Sequence, residues 1–463
     1  MKRIRIREII QATSGELISG DPESMVEGVS TDSRTSKKDM LFIALKGEKH
    51  DGHDFLDQAI EAGCSALIIS KESGSINALA KNRGVAIIKV EDTVKALHSL
   101  ASYYLSLFNI HKVGVTGSTG KTTTKEMLYW ILSEKYKTVR SIGNFNNHIG
   151  LPLSVFNIEE DTEAVIFEMG MDRPGEIHTL VEIVKPDIGI ITNIGLSHIE
   201  HMISQENIFK AKMEITDFFK KKDILIVNYD DKLLRDNVCE DRFKIVTVGR
   251  DYNNLDFKLA DIKDLGENGI EFTLSHKDKK QVFKLSTPGL HNALNASLAI
   301  AAGMCLGIDM DKSANGLAKL LITEKRLHIE EKQGIKIVDD TYNASPDSMR
   351  AAINVLVSIQ GERKIAILGD MFELGDKEKE YHSQIGEYAS NKGVDVVISV
   401  GKNAKYISEA ARTKGTKAIH FDSKELLKGV LAQWIRTGDV VLVKGSRGMA
   451  MDEIVTQLKT SNE

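Results

Sequence analysis

Val113-Gly-Val-Thr-Gly-Ser-Thr-Gly-Lys-Thr-Thr-Thr-Lys125 opens as an apolar strand, turns through Gly117 and Gly120, and continues as a helix with apolar residues at Met127, Leu128, Ile131 and Leu132. That order is the signature of a phosphate loop. Gly117 and Gly120 let backbone N–H groups curl around phosphate oxygens, and Lys121 supplies a point charge for the β- and γ-phosphates. Thr122 offers its hydroxyl to Mg²⁺, and the helix N-terminus adds the positive end of its dipole. The usual motif carries a glycine five residues before Gly120, whereas this chain has Val115 there and Gly114 one residue early. Strand, loop and helix together with Lys121-Thr122 predict a site for ATP or a related nucleotide.

Outward from the loop, apolar strands at 164–168, 188–192, 224–228 and 245–248 alternate with helical stretches, the pattern of a mostly parallel α/β sheet. Segments 257–262, 270–274 and 281–285, separated by Gly266, Gly269 and the charged turn Lys277–Lys280, read as a small antiparallel insert. An alanine-rich helix from about Leu290 to Leu306 closes a central domain expected over 109–322. Before it, Leu41–Leu45 and Ala66–Ile69 read as strands around a helix carrying Phe55, Ala59, Ile60 and Ala62, and a helix near 93–108 ends a small N-terminal α/β domain, 1–108. After it, strands at 335–338, 364–368, 394–400 and 440–443 run into Asp339-Asp340, Gly369-Asp370, Gly401-Lys402 and Lys444–Arg447. Ligands of open α/β sheets gather at such carboxyl ends, so 323–463 is expected as a third, Rossmann-like α/β domain with its own ligand edge.

Size agrees with that division: 463 residues correspond to two to four domains at roughly 100–200 residues each. With 61 Lys+Arg against 66 Asp+Glu the net charge is -5, which argues against nucleic-acid binding through bulk positive charge. Cys64, Cys239 and Cys305 are far apart and lack metal-ligand spacing, as in a protein of a reducing compartment. The start, Met1–Arg7, is basic without the apolar core of a signal peptide, and no stretch nears the roughly 18–20 apolar residues of a membrane span. A cytoplasmic protein with no membrane span is expected.

Two further strand ends carry candidate chemistry. Glu168 closes an apolar strand beside the phosphate loop, where a carboxylate suits Mg²⁺. The next strand ends in Asn193-Ile-Gly-Leu-Ser-His198; Mg²⁺ recruits imidazole only where oxygen ligands already fix the ion. His201 reads as orienting or structural. Lys210 and Glu214 form an i,i+4 surface pair that needs no function, while Lys212 could face the site.

These residues resemble the Mur ligase family, the ATP-dependent amide ligases of peptidoglycan precursor synthesis. The resemblance rests on the loop Thr116–Thr123, Gly143-Asn-Phe-Asn-Asn-His-Ile-Gly-Leu-Pro-Leu153, Glu168-Met-Gly170, Asn193–His198, Ala211-Lys212, Gly289-Leu-His-Asn-Ala-Leu-Asn-Ala296 and Asp339-Asp-Thr-Tyr-Asn-Ala-Ser-Pro346. Ser30–Arg34, Leu41–Glu48, Asp51-Gly-His53, Tyr342–Met349, Leu368–Gly375 and Lys444-Gly-Ser-Arg447 are similar to the branch that adds a dipeptide. The chain departs from the family in having Ser197 for alanine and Ile203 for glycine near His198, Asp39 for glycine, and Asp452 for glutamate.

The resemblance implies a reaction: D-alanyl-D-alanine is joined to the peptide carboxylate of UDP-N-acetylmuramoyl-tripeptide through an acyl phosphate, with ATP converted to ADP. It also implies roles. Thr116, Gly117, Ser118, Thr119, Gly120, Lys121, Thr122 and Thr123 hold ATP phosphates; Asn292 and Asn295 lie on the adenine side; Arg326 and Asp340 reach ATP from the C-terminal domain. Thr122 and Glu168 hold one Mg²⁺, and His198 with Lys212 a second, Lys212 having reacted with CO₂ to a carbamate. Thr31, Ser33 and Arg34 take the uridine end, Asn146, Asn147 and His148 the muramyl arm, and Tyr342, Asn343 and Ser345 the dipeptide. A monomer suffices for this mechanism. The rival expectations are a ligase of the same family adding a single amino acid (diaminopimelate, lysine or glutamate) and a phosphate-loop ATPase switch.

Overall fold

The computed structural model describes residues 1–239, 241–320 and 325–460. The expected junction between residues 322 and 323 lies outside the described residues. Three large sheets organise the described residues, beside a two-stranded antiparallel pair of Ile4–Arg5 with Met25–Val26. In the first, β1 (Glu16–Ser19), β2 (Gly28–Ser30), β3 (Met40–Ile43), β4 (Ala66–Ile69) and β5 (Ala86–Lys89) stand in the order β1-β5-β4-β3-β2, parallel except for β1. β4 is buried along its whole length, so it reads as a continuous apolar run rather than an alternating one.

The helix α1 (Thr93–Ser106) leaves this sheet with Asp92 capping its first turn. Its Tyr104 is fully buried and donates to the Ile158 carbonyl at 2.6 Å. Apolar residues of α1 share one core with Val165, Phe167 and Leu180 of the following domain. The helix expected to end the N-terminal domain thus also seats that domain on its neighbour.

The central sheet has nine strands. They are β6 (His111–Thr116), β7 (Thr138–Arg140), β8 (Ala164–Glu168), β9 (Ile188–Ile191), β10 (Ile224–Asn228), β11 (Lys244–Gly249), β12 (Phe257–Asp264), β13 (Ile270–His276) and β14 (Lys279–Leu285), ordered β14-β13-β12-β11-β10-β9-β6-β8-β7. Strands β6 to β12 run parallel. The segments expected as a small antiparallel insert pair antiparallel with one another and also prolong this sheet: β12 joins β11 in parallel at Val248↔Phe257, and β13 and β14 follow antiparallel. The short β7 was not foreseen, because three half-buried residues show no alternation.

Chain order reverses at β6, which lies between β8 and β9. The helix α2 (Lys121–Leu132) follows β6, and α3 (Gln205–Met213) follows β9. α4 (His291–Cys305), small-residue-rich and buried along most of its length, packs with α2 against one sheet face. The carboxyl ends of β6, β8 and β9 therefore converge at a topological switch point, where open α/β sheets bind ligands.

The third sheet comprises β15 (His328–Lys332), β16 (Ile335–Asp339), β17 (Arg363–Gly369), β18 (Val396–Val400), β19 (Lys417–Phe421) and β20 (Asp439–Lys444). Their order is β15-β16-β20-β17-β18-β19, parallel except for the edge strand β15. The helix α5 (Pro346–Ser358) starts after β16 with Ser345 as its N-cap and proline in the first turn.

Candidate active site

A cleft of about 640 Å³ separates the carboxyl ends of the central sheet from α5 and the loops after β16 and β20. On its central-domain wall the phosphate loop runs through Gly117 at φ 146° and Gly120 at φ 80°. A Cβ on Gly117 would lie 1.8 Å from Thr192 Oγ1, and one on Gly120 2.6 Å from Asn295 Oδ1. Glycine is required twice over, for backbone angle and for space. The loop is held in place by the end of β9. Asn193 Oδ1 accepts from Thr119 N–H at 3.0 Å, Asn193 Nδ2 donates to Thr119 Oγ1 at 2.8 Å, and Ser118 Oγ accepts from Gly195 N–H at 2.9 Å.

Lys121 lies along this loop, donating to the Gly117 carbonyl at 2.7 Å. Desolvation by the cleft walls lowers its pKa; Glu168 opposes that shift and Arg326 adds to it. Ser118 to Thr123 line the cleft. Thr116 does not: its hydroxyl is buried and donates to the Met169 carbonyl at 2.9 Å, so it fixes the approach to the loop.

Glu168 ends β8 only 2% exposed. Its Oε2 accepts from Thr122 Oγ1 at 2.8 Å and its Oε1 from Asn146 Nδ2 at 2.9 Å. Lys125, which the sequence reading left without a role, is fully buried with Nζ 3.6 Å from Glu168 Oε2. It also donates to the carbonyls of Ser141 at 2.9 Å and Gly143 at 3.2 Å, tying α2 to the loop that carries Asn146, Asn147 and His148. Those three line the cleft. Asn147 Oδ1 caps the short helix Gly150–Val155 by accepting from Gly150 N–H at 2.8 Å, and the His148 carbonyl accepts from His98 Nε2 at 2.6 Å.

His198 adopts φ 63° at the start of the short helix Ile199–Met202. Its Nδ1 lies 2.6 Å from Asp172 Oδ1 and 2.5 Å from Glu373 Oε2, the latter from the C-terminal domain. Burial disfavours the imidazolium, yet the two carboxylates outweigh it and the pKa of His198 is raised. One ligand atom from each of Asp172, His198 and Glu373 falls within 4.8 Å of the others, a grouping able to hold a cation. Lys212, near the end of α3, is 2% exposed, and its side-chain amine has no hydrogen-bond partner among the described residues. Burial first, and Lys121 second, push its pKa well below the usual lysine range.

On the opposite wall Arg326 stacks over the Tyr342 ring at 3.9 Å, with Arg447 on the same ring at 5.7 Å. Lys444 is buried and bonds Asp340 Oδ2 at 2.5 Å and the Asn343 carbonyl at 2.8 Å. Asn343 Oδ1 accepts from Arg447 N–H at 3.3 Å, and Ser345 caps α5. Asn292 and Asn295 are buried at the start of α4, linked by a 3.0 Å bond from Asn295 Nδ2 to Asn292 Oδ1, and both line the cleft. Thr31, Ser33 and Arg34 stand apart in the loop after β2 of the N-terminal domain: the Arg34 guanidinium bonds Asp32 at 2.6 Å and Ser33 Oγ donates to Gln58 at 3.0 Å.

The profile of the Mur ligase family catalytic domain matches residues 25–105, that of the Mur ligase middle domain 115–303, and that of the Mur ligase glutamate ligase domain 325–447. The chain belongs to the Mur ligase family. Among family relatives, the UDP-N-acetylmuramoyl-tripeptide–D-alanyl-D-alanine ligase of Bacillus subtilis (strain 168) is 39% identical over 98% of each chain. The ligase of that name from Escherichia coli (strain K12) is 34% identical over 99% of each. Of solved Mur ligases, MurF from Acinetobacter baumannii superposes with a TM-score of 0.90 at 29% identity over all of both chains. MurF ligase from Thermotoga maritima in complex with ADP gives 0.82 at 32% identity, covering 94% of this chain and 97% of that one.

Proposed function

We propose that this Mur ligase joins D-alanyl-D-alanine to the terminal carboxylate of UDP-N-acetylmuramoyl-tripeptide and converts ATP to ADP and phosphate. The observation that carries the reading is the single cleft in which the phosphate loop and Glu168 face Arg326, Asp340 and the Tyr342–Ser345 segment, in a chain alignable end to end with ligases of that name.

A carboxylate is a poor electrophile, so its oxygen first attacks the γ-phosphorus and ADP leaves, giving an acyl phosphate. The amine of the dipeptide then adds to the acyl carbon, and phosphate departs from the tetrahedral intermediate. Protein catalysis of both steps is positioning and charge stabilisation. Lys121 brings its ammonium to the β- and γ-phosphates. Asn292 and Asn295 border the adenine side, Arg326 and Asp340 approach from the other domain, and closure of the cleft excludes water. Thr31, Ser33 and Arg34 receive the uridine end, with Asn146, Asn147 and His148 along the muramyl arm. Tyr342, Asn343 and Ser345 shape the dipeptide pocket.

The donors suit magnesium. The Thr122 hydroxyl and Glu168 carboxylate are hard oxygen ligands for one ion. With Nδ1 of His198 held by carboxylates, Nε2 is left as its ligating nitrogen, the second-shell arrangement common to metal-bound histidines. A bare ammonium at Lys212 would repel a second ion, but its depressed pKa favours the neutral amine. That amine adds to CO₂ with loss of one proton, and the carbamate oxygens replace positive charge with negative. Bound Mg²⁺ supplies neutralisation of the transferring phosphoryl group and of the approaching carboxylate.

No helix of the described residues is long and apolar enough to cross a membrane. A reaction drawing on ATP and a UDP-linked substrate suits the cytoplasm, and with the cleft lined by one chain a monomer suffices.

The test is phosphate release from ATP with Mg²⁺, adding the UDP-linked tripeptide and D-alanyl-D-alanine singly and together. Release that requires both, with a product heavier by the dipeptide less water, is the expected result. Turnover with diaminopimelate, lysine or glutamate in place of the dipeptide would assign a different acceptor, and release with neither substrate would indicate an ATPase switch. Running lysine- and diaminopimelate-containing tripeptides in parallel identifies the third peptide residue.

A further inference from the structure

We infer that the carboxylate of Asp347 receives the ammonium group of the incoming dipeptide, an assignment that rests on the ligase reading above. Asp347 is the second residue of α5 and lines the cleft. The other cleft carboxylates are committed. Glu168 accepts from Thr122 and Asn146, Asp172 holds His198, Glu176 accepts from Asp172 N–H, and Asp340 pairs with Lys444. Asp347 accepts no hydrogen bond among the described residues. Its one ion pair among the described residues is with Arg350 at 3.6 Å, an i,i+3 contact with the Asp347 side chain 41% exposed, and such pairs contribute little.

Its placement is specific. A Cβ built on Gly195 would lie 2.5 Å from Asp347 Oδ2 and 3.2 Å from Ser118 Cβ. The carboxylate of the C-terminal domain thus abuts the phosphate loop across a glycine. The φ of Gly195 lies outside the positive range, so glycine is needed there for space and not for backbone angle. An acid in the first turn of a helix also complements the dipole, but that role does not require contact with the opposite domain. A carboxylate at a polyphosphate site is repelled by it, and the half-exposed Arg350 reaches only Oδ1 at 3.6 Å, so Oδ2, the oxygen beside Gly195, calls for a cation. ATP and the peptide carboxylate are both anions. The dipeptide amine, with an α-amino pKa near 8, arrives mostly protonated at neutral pH, and releases one proton to solvent before its lone pair adds to the acyl carbon that forms beside Ser118–Lys121. Asp347 stands where that nitrogen has to arrive.

The experiment compares wild type with Asp347→Asn, using D-alanyl-D-alanine and D-lactyl-D-alanine, which carries a hydroxyl in place of the ammonium. In the variant the KM for D-alanyl-D-alanine should rise roughly 10- to 100-fold, the loss expected for one charged hydrogen bond, with KM for ATP and the UDP-linked substrate within about 2-fold. Wild type should bind D-lactyl-D-alanine, measured as an inhibitor, roughly 10- to 100-fold more weakly than the dipeptide, and the variant should nearly erase that gap. Asp347→Glu should recover part of the affinity, and Gly195→Ala, whose methyl group displaces the carboxylate, should narrow the gap too. An unchanged gap would overturn the assignment. A rise confined to the Mg²⁺ or ATP dependence would overturn it as well and give Asp347 to the metal. Wild type that releases no phosphate with both substrates present would instead refute the ligase reading itself.

Discussion

Ile203 occupies the centre of a three-residue turn that no β-branched residue favours. Its φ is 69° and ψ -39°, and Ser204 N–H donates across it to the Met202 carbonyl at 2.8 Å. This is the rare, strained form of γ-turn, and it joins the helix after His198 to α3, which carries Lys212. Replacing Ile203 by glycine should stabilise the protein. Holding a side chain at positive φ costs about 1–2 kcal/mol, with β-branched residues at the upper end. Glycine returns about 0.5–1 kcal/mol of that through the freedom of the unfolded chain. The isoleucine is 83% exposed, so the burial forfeited is about 0.3–0.5 kcal/mol of the 1.5–3 for a fully buried side chain. The balance is a gain of about 0.5–1 kcal/mol, or roughly 1–4 °C in Tm for a domain of 150–250 residues. Differential scanning calorimetry should include Ile203→Ala, which also removes the side chain but keeps a Cβ in the strained backbone. The glycine variant should melt above wild type and the alanine variant should not. Equal melting temperatures for the two variants would refute the strain argument. Asp39, also at positive φ (64°), should show a smaller effect on replacement by glycine, since aspartate tolerates this region and its Oδ1 accepts from Ser65 at 3.2 Å.

Further outcomes can be measured at the cleft. Lys121→Ala or Glu168→Ala should abolish phosphate release, a loss of about 10³-fold or more, while circular dichroism stays unchanged; near-normal turnover in Glu168→Ala would remove that residue from the metal site. Gly117→Ala brings a Cβ to 1.8 Å from Thr192 Oγ1 and should destabilise by about 3 kcal/mol or more while eliminating ADP binding by calorimetry. Lys212→Met should abolish turnover yet stabilise the metal-free, CO₂-depleted protein at neutral pH by about 1–4 kcal/mol, because it removes a buried amine without a partner. The pH dependence has a defined sign: unfolded Lys212 keeps its proton up to about 10.4, folded Lys212 releases it well below that, so the wild-type protein gains stability from this group as pH rises towards 10 and the methionine variant lacks that gain. Bicarbonate should raise the activity of CO₂-depleted wild type and leave Lys212→Met unaffected.

The phosphate loop, the buried strands and the strand-end position of Glu168 were legible because each follows from local order: apolar run, turn chemistry, then polar residue; His198 lies beyond the end of β9, at the start of the short helix Ile199–Met202. Pairing was less accessible. The antiparallel run of β12, β13 and β14 was legible as an insert, but nothing in 257–262 shows that β12 hydrogen-bonds to β11 and so joins that run to the main sheet. Glu373 and Asp172 meet at His198 although they are 201 positions apart in chain order, a meeting that depends on how two domains dock. Lys125 carried a usable signal: it follows Lys121 by one turn and shares its helix face with Leu128 and Leu132, so its ammonium had to be buried. Read that way, a charged partner such as Glu168 would have been sought.

The ends of the nine-stranded sheet bear on how this chain behaves among copies of itself. One edge is β7, only three residues long, and the other is β14, which carries Lys279, Lys280 and Lys284. A parallel sheet ending at β11 would have presented a flat template for strand addition. Here any second sheet approaching meets either too few backbone groups to pair with or a row of ammonium charges. The hairpin that prolongs the sheet thereby keeps the most strand-rich layer of the molecule from seeding aggregation.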